Sequence, residues 1–211
     1  MANELDFIHR FLPAPEGSAS HRTLLLLHGT GGNENDLIDL GRTIDPQAAI
    51  LSPRGKVLER NAARFFRRLA EGVFDEEDVV KRAHELSAFI KAAAAEYAID
   101  LSGLVAVGYS NGANIAAAMM LLGAADFTGA ILFRAMLALH DKAQYKSHSG
   151  EVLISEGRMD PIARPDTAQD LTNALQAVGT QVDLIFQPAG HELTGADISV
   201  AQRWLHSREA I

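Results

Sequence analysis

The sequence predicts an α/β protein built on a doubly wound, mostly parallel sheet. Two observations carry that expectation: short continuous apolar runs that end in glycine, proline or polar turns, and amphipathic stretches of about 10–20 residues that alternate with them. Such alternation implies right-handed crossovers and helices on both faces of the sheet. No repeat, low-complexity tract or linker divides the 211 residues, so one domain over 1–211 is expected.

Residues 7–11 read as a first strand, closed by Pro13 and Pro15. Residues 22–28 (R-T-L-L-L-L-H) stay apolar up to Gly29, as a strand buried on both faces must. Residues 33–44 read as a helix, residues 48–52 as a short strand before Pro53, and residues 55–72 as irregular and basic. Asp75-Glu76-Glu77-Asp78 opens a long helix, because acidic side chains in a first turn are favourable against the helix dipole. Val79, Ala83, Leu86, Ile90 and Ala93 then follow at helical spacing. Residues 104–109 (L-V-A-V-G-Y) form the next buried strand and residues 111–122 an apolar helix. Strands are expected at 128–133, 151–155 and 181–186, with helices at 166–178 and 196–206 between and after them.

Composition narrows the function classes. A hydrophobic fraction of 47% with 22% charged residues is that of an ordinary globular protein. No apolar run approaches the roughly 18–20 residues that span a bilayer. The first residues, M-A-N-E-L-D, lack a basic segment followed by an apolar one, so no secretory signal is expected. Cysteine is absent, which excludes disulfides, a thiol nucleophile and thiolate metal sites and fits a cytoplasmic location. A formal net charge of −8 argues against nucleic acid and anionic membranes as partners.

The chemistry concentrates at the expected strand ends. Gly108-Tyr109-Ser110-Asn111-Gly112 is a G-x-S-x-G placed where a strand turns into a helix. A serine on so tight a turn presents its hydroxyl above the sheet edge, and the flanking glycines remove the Cβ atoms that would collide. The Asn111 amide and the helix dipole then point at any oxyanion formed there. His28-Gly29-Thr30-Gly31-Gly32, directly after the leucine strand, can turn further backbone amides inward. Phosphate binding is the rival reading of this loop, but no G-K-[ST] follows and the spacing is not G-x-G-x-x-G. His28 is read as a structural residue bonding within the loop. A serine nucleophile needs a base and the base needs an orienting acid. Of His140, His148, His191 and His206, only His191 follows a strand in a flexible loop, P-A-G-H-E, on the serine's edge of the sheet. Asp160, in the loop G-R-M-D-P-I after the preceding strand, is the candidate acid; Glu156 lies too near the strand end, and Asp166 and Asp170 belong to the next helix.

Together, L-L-L-L-H-G-T-G-G-N, G-Y-S-N-G-A-N, G-R-M-D-P-I and G-H-E-L resemble the bacterial phospholipase/carboxylesterase family of α/β-hydrolases, relatives of the acyl-protein thioesterases. The resemblance runs from about Leu24 to Trp204. It implies the α/β-hydrolase fold and a carboxylic-ester hydrolase acting on a small-molecule ester, with no metal or organic cofactor. Carried over, Ser110, Asp160 and His191 form the catalytic triad and the amides of Thr30 and Asn111 the oxyanion hole. Gly29, Phe65 and Phe66 fall where relatives bind substrate, and Arg64-Phe65-Phe66 is the expected acyl-pocket segment. Relatives often form homodimers, which is compatible with this chain, though no interface is legible. Asn111 replaces the usual thioesterase glutamine and Thr30 the usual leucine, which favours the small-ester branch over depalmitoylation. No long insertion follows residues 128–133, so no large lid is expected and short- to medium-chain esters are favoured. Acyl-thioester or lysophospholipid hydrolysis would use the same triad, whereas a ligand-binding module would normally have lost a member of it. The basic residues Arg64, Arg67 and Arg68 could steer an anionic substrate, but a solvated face is the favoured reading.

Overall fold

The computed structural model describes residues 5–18, 20–127 and 129–208. In chain order these form β1 (His9–Leu12), β2 (Thr23–Leu27), α1 (Ile38–Ile44), β3 (Ala49–Pro53), β4 (Val57–Glu59), β5 (Ala62–Arg64), β6 (Arg68–Ala70) and β7 (Val73–Phe74). There follow α2 (Glu76–Tyr97), β8 (Leu104–Tyr109), α3 (Asn111–Leu121), β9 (Gly129–Phe133), β10 (Glu151–Gly157), α4 (Pro165–Ala177), β11 (Gln181–Gln187) and α5 (Gly195–His206). Thr128, expected to begin the strand over 128–133, lies outside the described residues, as do residues 1–4, read above for a leader signal.

Seven strands make one sheet in the order β1-β3-β2-β8-β9-β10-β11. β1 runs antiparallel to β3 and every other pairing in this sheet is parallel. Alternate residues of each buried strand enter opposite layers, as the two-residue period of a strand requires. Leu25, Leu27, Ala106, Leu132 and Ile154 face the layer that holds α2, α3 and α4. Leu24, Leu26, Val105, Val107 and Leu153 face the layer of α1 and α5, sealed by Trp204 and Leu205. The doubly wound α/β sheet predicted by the apolar runs is the observed one. The connection between β9 and β10 carries only a short helical turn, Lys142–Gln144, and no large lid. Among the described residues no helix is long and apolar enough to cross a membrane.

Two local expectations are corrected. The helix expected over 33–44 begins only at Ile38. Asn33 Oδ1 accepts the Asn35 amide at 2.9 Å and Asp36 Oδ2 the Asn33 amide at 3.3 Å. Such local side-chain bonds hold the chain in turns and compete with the helix. The stretch 55–72, expected to be irregular, contains the hairpin β4–β5 and leads into β6–β7. Arg60 and Asn61 supply the left-handed turn between β4 and β5, with φ of 49° and 72°, a task usually given to glycine. The acidic opening of α2 is as expected, and the Asp75 side chain caps it by accepting the Asp78 amide.

Candidate active site

The parallel strands end on one edge, and the loops leaving that edge carry the candidate residues. β8 stops at Tyr109, and Ser110 turns the chain into α3 with φ 52° and ψ −113°. A non-glycine residue in that region is strained, and the surrounding structure must hold it there. The Ser110 amide donates to Phe133 O at 2.9 Å, and its carbonyl accepts the Asn114 amide at 2.9 Å. Close packing explains the flanking glycines: a Cβ on Gly108 would lie 2.6 Å from Ala113 Cα, and one on Gly112 would lie 1.9 Å from Leu27 O.

His191, in the loop after β11, sits with Nε2 3.1 Å from Ser110 Oγ. Its Nδ1 lies 2.7 Å from Asp160 Oδ2. The other oxygen of Asp160 accepts the amides of Ile162 at 2.7 Å and Ala163 at 3.0 Å, which fixes the carboxyl plane. With the Nδ1–H donating to Asp160, Nε2 is left to accept from the serine hydroxyl. The structure thus brings Ser110, His191 and Asp160 into one hydrogen-bonded chain, from three loops. His140 instead bonds Glu76 and His206 the carbonyl of Gln202.

The glycine loop lies against the same turn. Gly31 and Gly32 spend their amides on Ala63 O at 2.8 Å and Gly29 O at 3.1 Å. Thr30 is held by its side chain, whose Oγ1 accepts from Arg64 Nη1 at 2.6 Å. Asn111 heads α3, so its amide is one of the four that a helix leaves free of its own carbonyls. Its Oδ1 accepts the Phe65 amide at 2.7 Å. Both candidate oxyanion residues are therefore tied to the segment at the end of β5. His28 is buried: Nδ1 donates to Gly29 O at 2.7 Å and Nε2 accepts the Gly55 amide at 3.0 Å. Burial lowers its pKa, which suits a neutral ring with one donor and one acceptor in use.

Phe65 and Phe66 sit differently from what the acyl-pocket expectation required. They are 3% and 0% exposed and belong to the interior cluster, Phe65 against His28 and Phe66 edge-on to Phe74. Gly29 lies under the Tyr109 ring, which an added Cβ would meet at 2.8 Å. Arg67 pairs with Asp75, and Arg68 makes a double contact with Glu59, which also faces Arg64 at 3.5 Å. Two carboxylates thus offset two of the three positive charges in the basic cluster. An open cavity of about 400 Å³ does adjoin the Asp160 loop, lined by Phe74, Met136, Leu137, Pro161, Ile162 and Thr167 among others.

Several side chains at this edge were missed. Tyr109 Oη donates to His191 O at 3.0 Å. Asn114 Oδ1 accepts the Met136 amide at 2.7 Å from within the apolar helix. Arg134 and Asp197 form a buried ion pair. Their signals were one arginine in the apolar run L-F-R-A-M and an aspartate that reads as an ordinary first-turn acid. Glu156 is 0% exposed, and its Oε1 accepts the Ala135 amide at 2.6 Å. Its other oxygen has no hydrogen-bond partner among the described residues.

Burial raises the Glu156 pKa well above its ordinary 4.5. The folded protein then binds a proton that the unfolded chain releases. The stability this gives is complete below the ordinary value and is lost as pH rises toward the folded pKa, at about 1.4 kcal/mol per pH unit. Glu156→Gln keeps the acceptor and cannot ionise. It is expected to melt above the wild type by a margin that widens as pH rises above about pH 5. Thermal melts whose difference stays constant across that range would contradict the assignment.

Residues 14–208 match the phospholipase/carboxylesterase family. MhqD of Bacillus subtilis (strain 168), named as a hydrolase, is 42% identical over 196 residues, covering 93% of this chain and 97% of MhqD. The carboxylesterase of Bacillus cereus is similar in structure, with a TM-score of 0.90, 39% identity and coverage of 98% of this chain and 95% of that one. A carboxylesterase from Mesorhizobium loti gives a TM-score of 0.89 at 32% identity, covering 97% and 96%. The chain belongs to the phospholipase/carboxylesterase family of the α/β-hydrolase fold, a family of ester-hydrolysing enzymes.

Proposed function

We propose that the protein is a serine carboxylesterase that cleaves short- to medium-chain carboxylic esters through an acyl-enzyme, with residues 1–211 acting as one catalytic domain. The observation that carries this reading is the chain Asp160–His191–Ser110, at 2.7 Å and 3.1 Å, beside a strained serine turn. In the first step Ser110 Oγ attacks the ester carbonyl carbon while His191 Nε2 takes the hydroxyl proton. Asp160 keeps the imidazole in the required tautomer and stabilises its cationic form. The Thr30 and Asn111 amides bind the oxyanion, each worth about 3–4 kcal/mol to the transition state. Collapse of the tetrahedral intermediate breaks the ester C–O bond, and His191 returns its proton to the departing alcohol. Water, deprotonated by His191, then attacks the acyl-serine; the bond from the acyl carbon to Ser110 Oγ breaks, Oγ takes the proton back from His191, and the acid leaves.

The cavity of about 400 Å³ beside Pro161 and Ile162 opens to solvent next to the Asp160 loop, which supports a substrate of modest size. A fluorophosphonate probe tests the mechanism directly, because only an activated serine attacks its phosphorus. Labelling of the folded protein, with the adduct mapped to the Ser110 peptide by mass spectrometry, is the expected result. An adduct on another residue, or none, would overturn the assignment.

A further inference from the structure

A base must be held within about 0.5 Å of its working position, and loops do this poorly unless something pins them. The loop carrying His191 begins Pro188-Ala189-Gly190, a segment with little side-chain bulk to anchor it. The pinning comes from Arg134, just past β9 with φ 54°, whose side chain is 0% exposed. Its Nε donates to Gly190 O at 2.9 Å and its Nη2 to Glu192 O at 2.7 Å. Tyr109 Oη takes the intervening carbonyl, that of His191. Three consecutive carbonyls around the base are thus each claimed by a side chain rooted in the sheet.

The remaining guanidinium donors go to Ser155 O at 2.9 Å and to both oxygens of Asp197, at 2.8 Å and 2.9 Å. All five N–H groups of the arginine are therefore used. Asp197 is itself fixed by Ser155 Oγ at 2.7 Å and by the Thr194 amide and hydroxyl, each at 2.8 Å. Stability alone is a weak reason for such a pair, because apolar residues of similar volume often serve a fold as well or better. What an apolar pair cannot do is reach the carbonyls on either side of His191.

We infer that Arg134, with Asp197 as its counter-ion, is a positioning residue that holds the His191 loop in register with Ser110 and Asp160. This rests on the role given to His191 above. The left-handed backbone of Arg134 belongs to the same device: it turns the chain off β9 while the residue's own amide bonds Ser155 O at 3.1 Å.

The test compares the apolar pair Arg134→Met with Asp197→Leu, and the single change Arg134→Lys, with the wild type. Lysine keeps the charge beside Asp197 but cannot reach Gly190 and Glu192 together. For the apolar pair the expected result is a folded protein with kcat for a p-nitrophenyl ester lowered about 10²-fold and KM near the wild-type value. Arg134→Lys should fall between the two. The low-field proton resonance of the His191 Nδ1–H, bonded to Asp160, should broaden or vanish in the apolar pair. Wild-type kcat and an unchanged resonance in either folded variant would overturn the inference. So would unfolding of both, which would make the pair a requirement of the fold instead. His191→Ala, run alongside, separates the two readings: if it stays active the base is misassigned, and if it alone is inactive only the role of Arg134 fails.

Discussion

Replacing Ser110 by alanine is expected to lower kcat by about 10⁶-fold, the scale seen when a nucleophile is removed from a hydrolase whose serine, base and acid act as a unit. The loss should not reach the uncatalysed rate, because the Thr30 and Asn111 amides would still polarise a bound ester and leave about 10³-fold over water. Alanine keeps the β-carbon and with it the strained φ of 52° at this turn, so the melting temperature should stay close to that of the wild type. The removed oxygen bonds His191 Nε2, at 3.1 Å. Steady-state hydrolysis of p-nitrophenyl butyrate, beside a thermal melt, reads both quantities. A folded Ser110→Ala protein keeping a tenth of the wild-type kcat would remove Ser110 from the mechanism.

Gly112→Ala is expected to be severely destabilising through a single added methyl group. Its β-carbon would stand 1.9 Å from Leu27 O, 2.4 Å from Leu27 C and 2.7 Å from His28 O, all backbone atoms. No side chain can rotate away to relieve that contact. Either α3 must withdraw from β2 or the end of β2 must bend. α3 is buried along its whole length, and β2 is paired on both sides. A loss above about 4 kcal/mol follows, the range reserved for backbone clash and overpacking in a core. Gly195, where an added carbon meets nothing within 4 Å, provides the matched comparison. Chemical denaturation of the two alanine variants should show a large loss for the first and almost none for the second. Equal midpoints would mean that the elbow is looser than its geometry implies.

The features that were legible in the sequence are those enforced locally. A strand buried on both faces is mostly apolar, so β2, β8 and β9 could be read from their apolar runs. Gly108 is demanded by a contact within its own turn, to Ala113, whereas Gly112 answers to the backbone of Leu27 and His28 and was legible only through the G-x-S-x-G pattern. Features that depend on distant partners stayed hidden. Arg134 meets Asp197 across 63 residues, and neither neighbourhood announces the other. Glu156 was set aside as too close to a strand end, yet β10 continues to Gly157 and carries it into the interior. The hairpin β4–β5 was missed because Arg60 and Asn61 take the left-handed turn that glycine usually signals. Phe65 and Phe66 were assigned by position in the chain, while the side chains turn into the core.

Ser110, Asp160 and His191 lie on loops that leave β8, β10 and β11, with His191 81 positions from Ser110 and 31 from Asp160 in the chain. Closing loops of that size is a cost met only once the intervening strands have paired. No hairpin or single βαβ unit of this chain can therefore carry a partial activity. The three side chains meet only when β8, β9, β10 and β11 stand paired in that order.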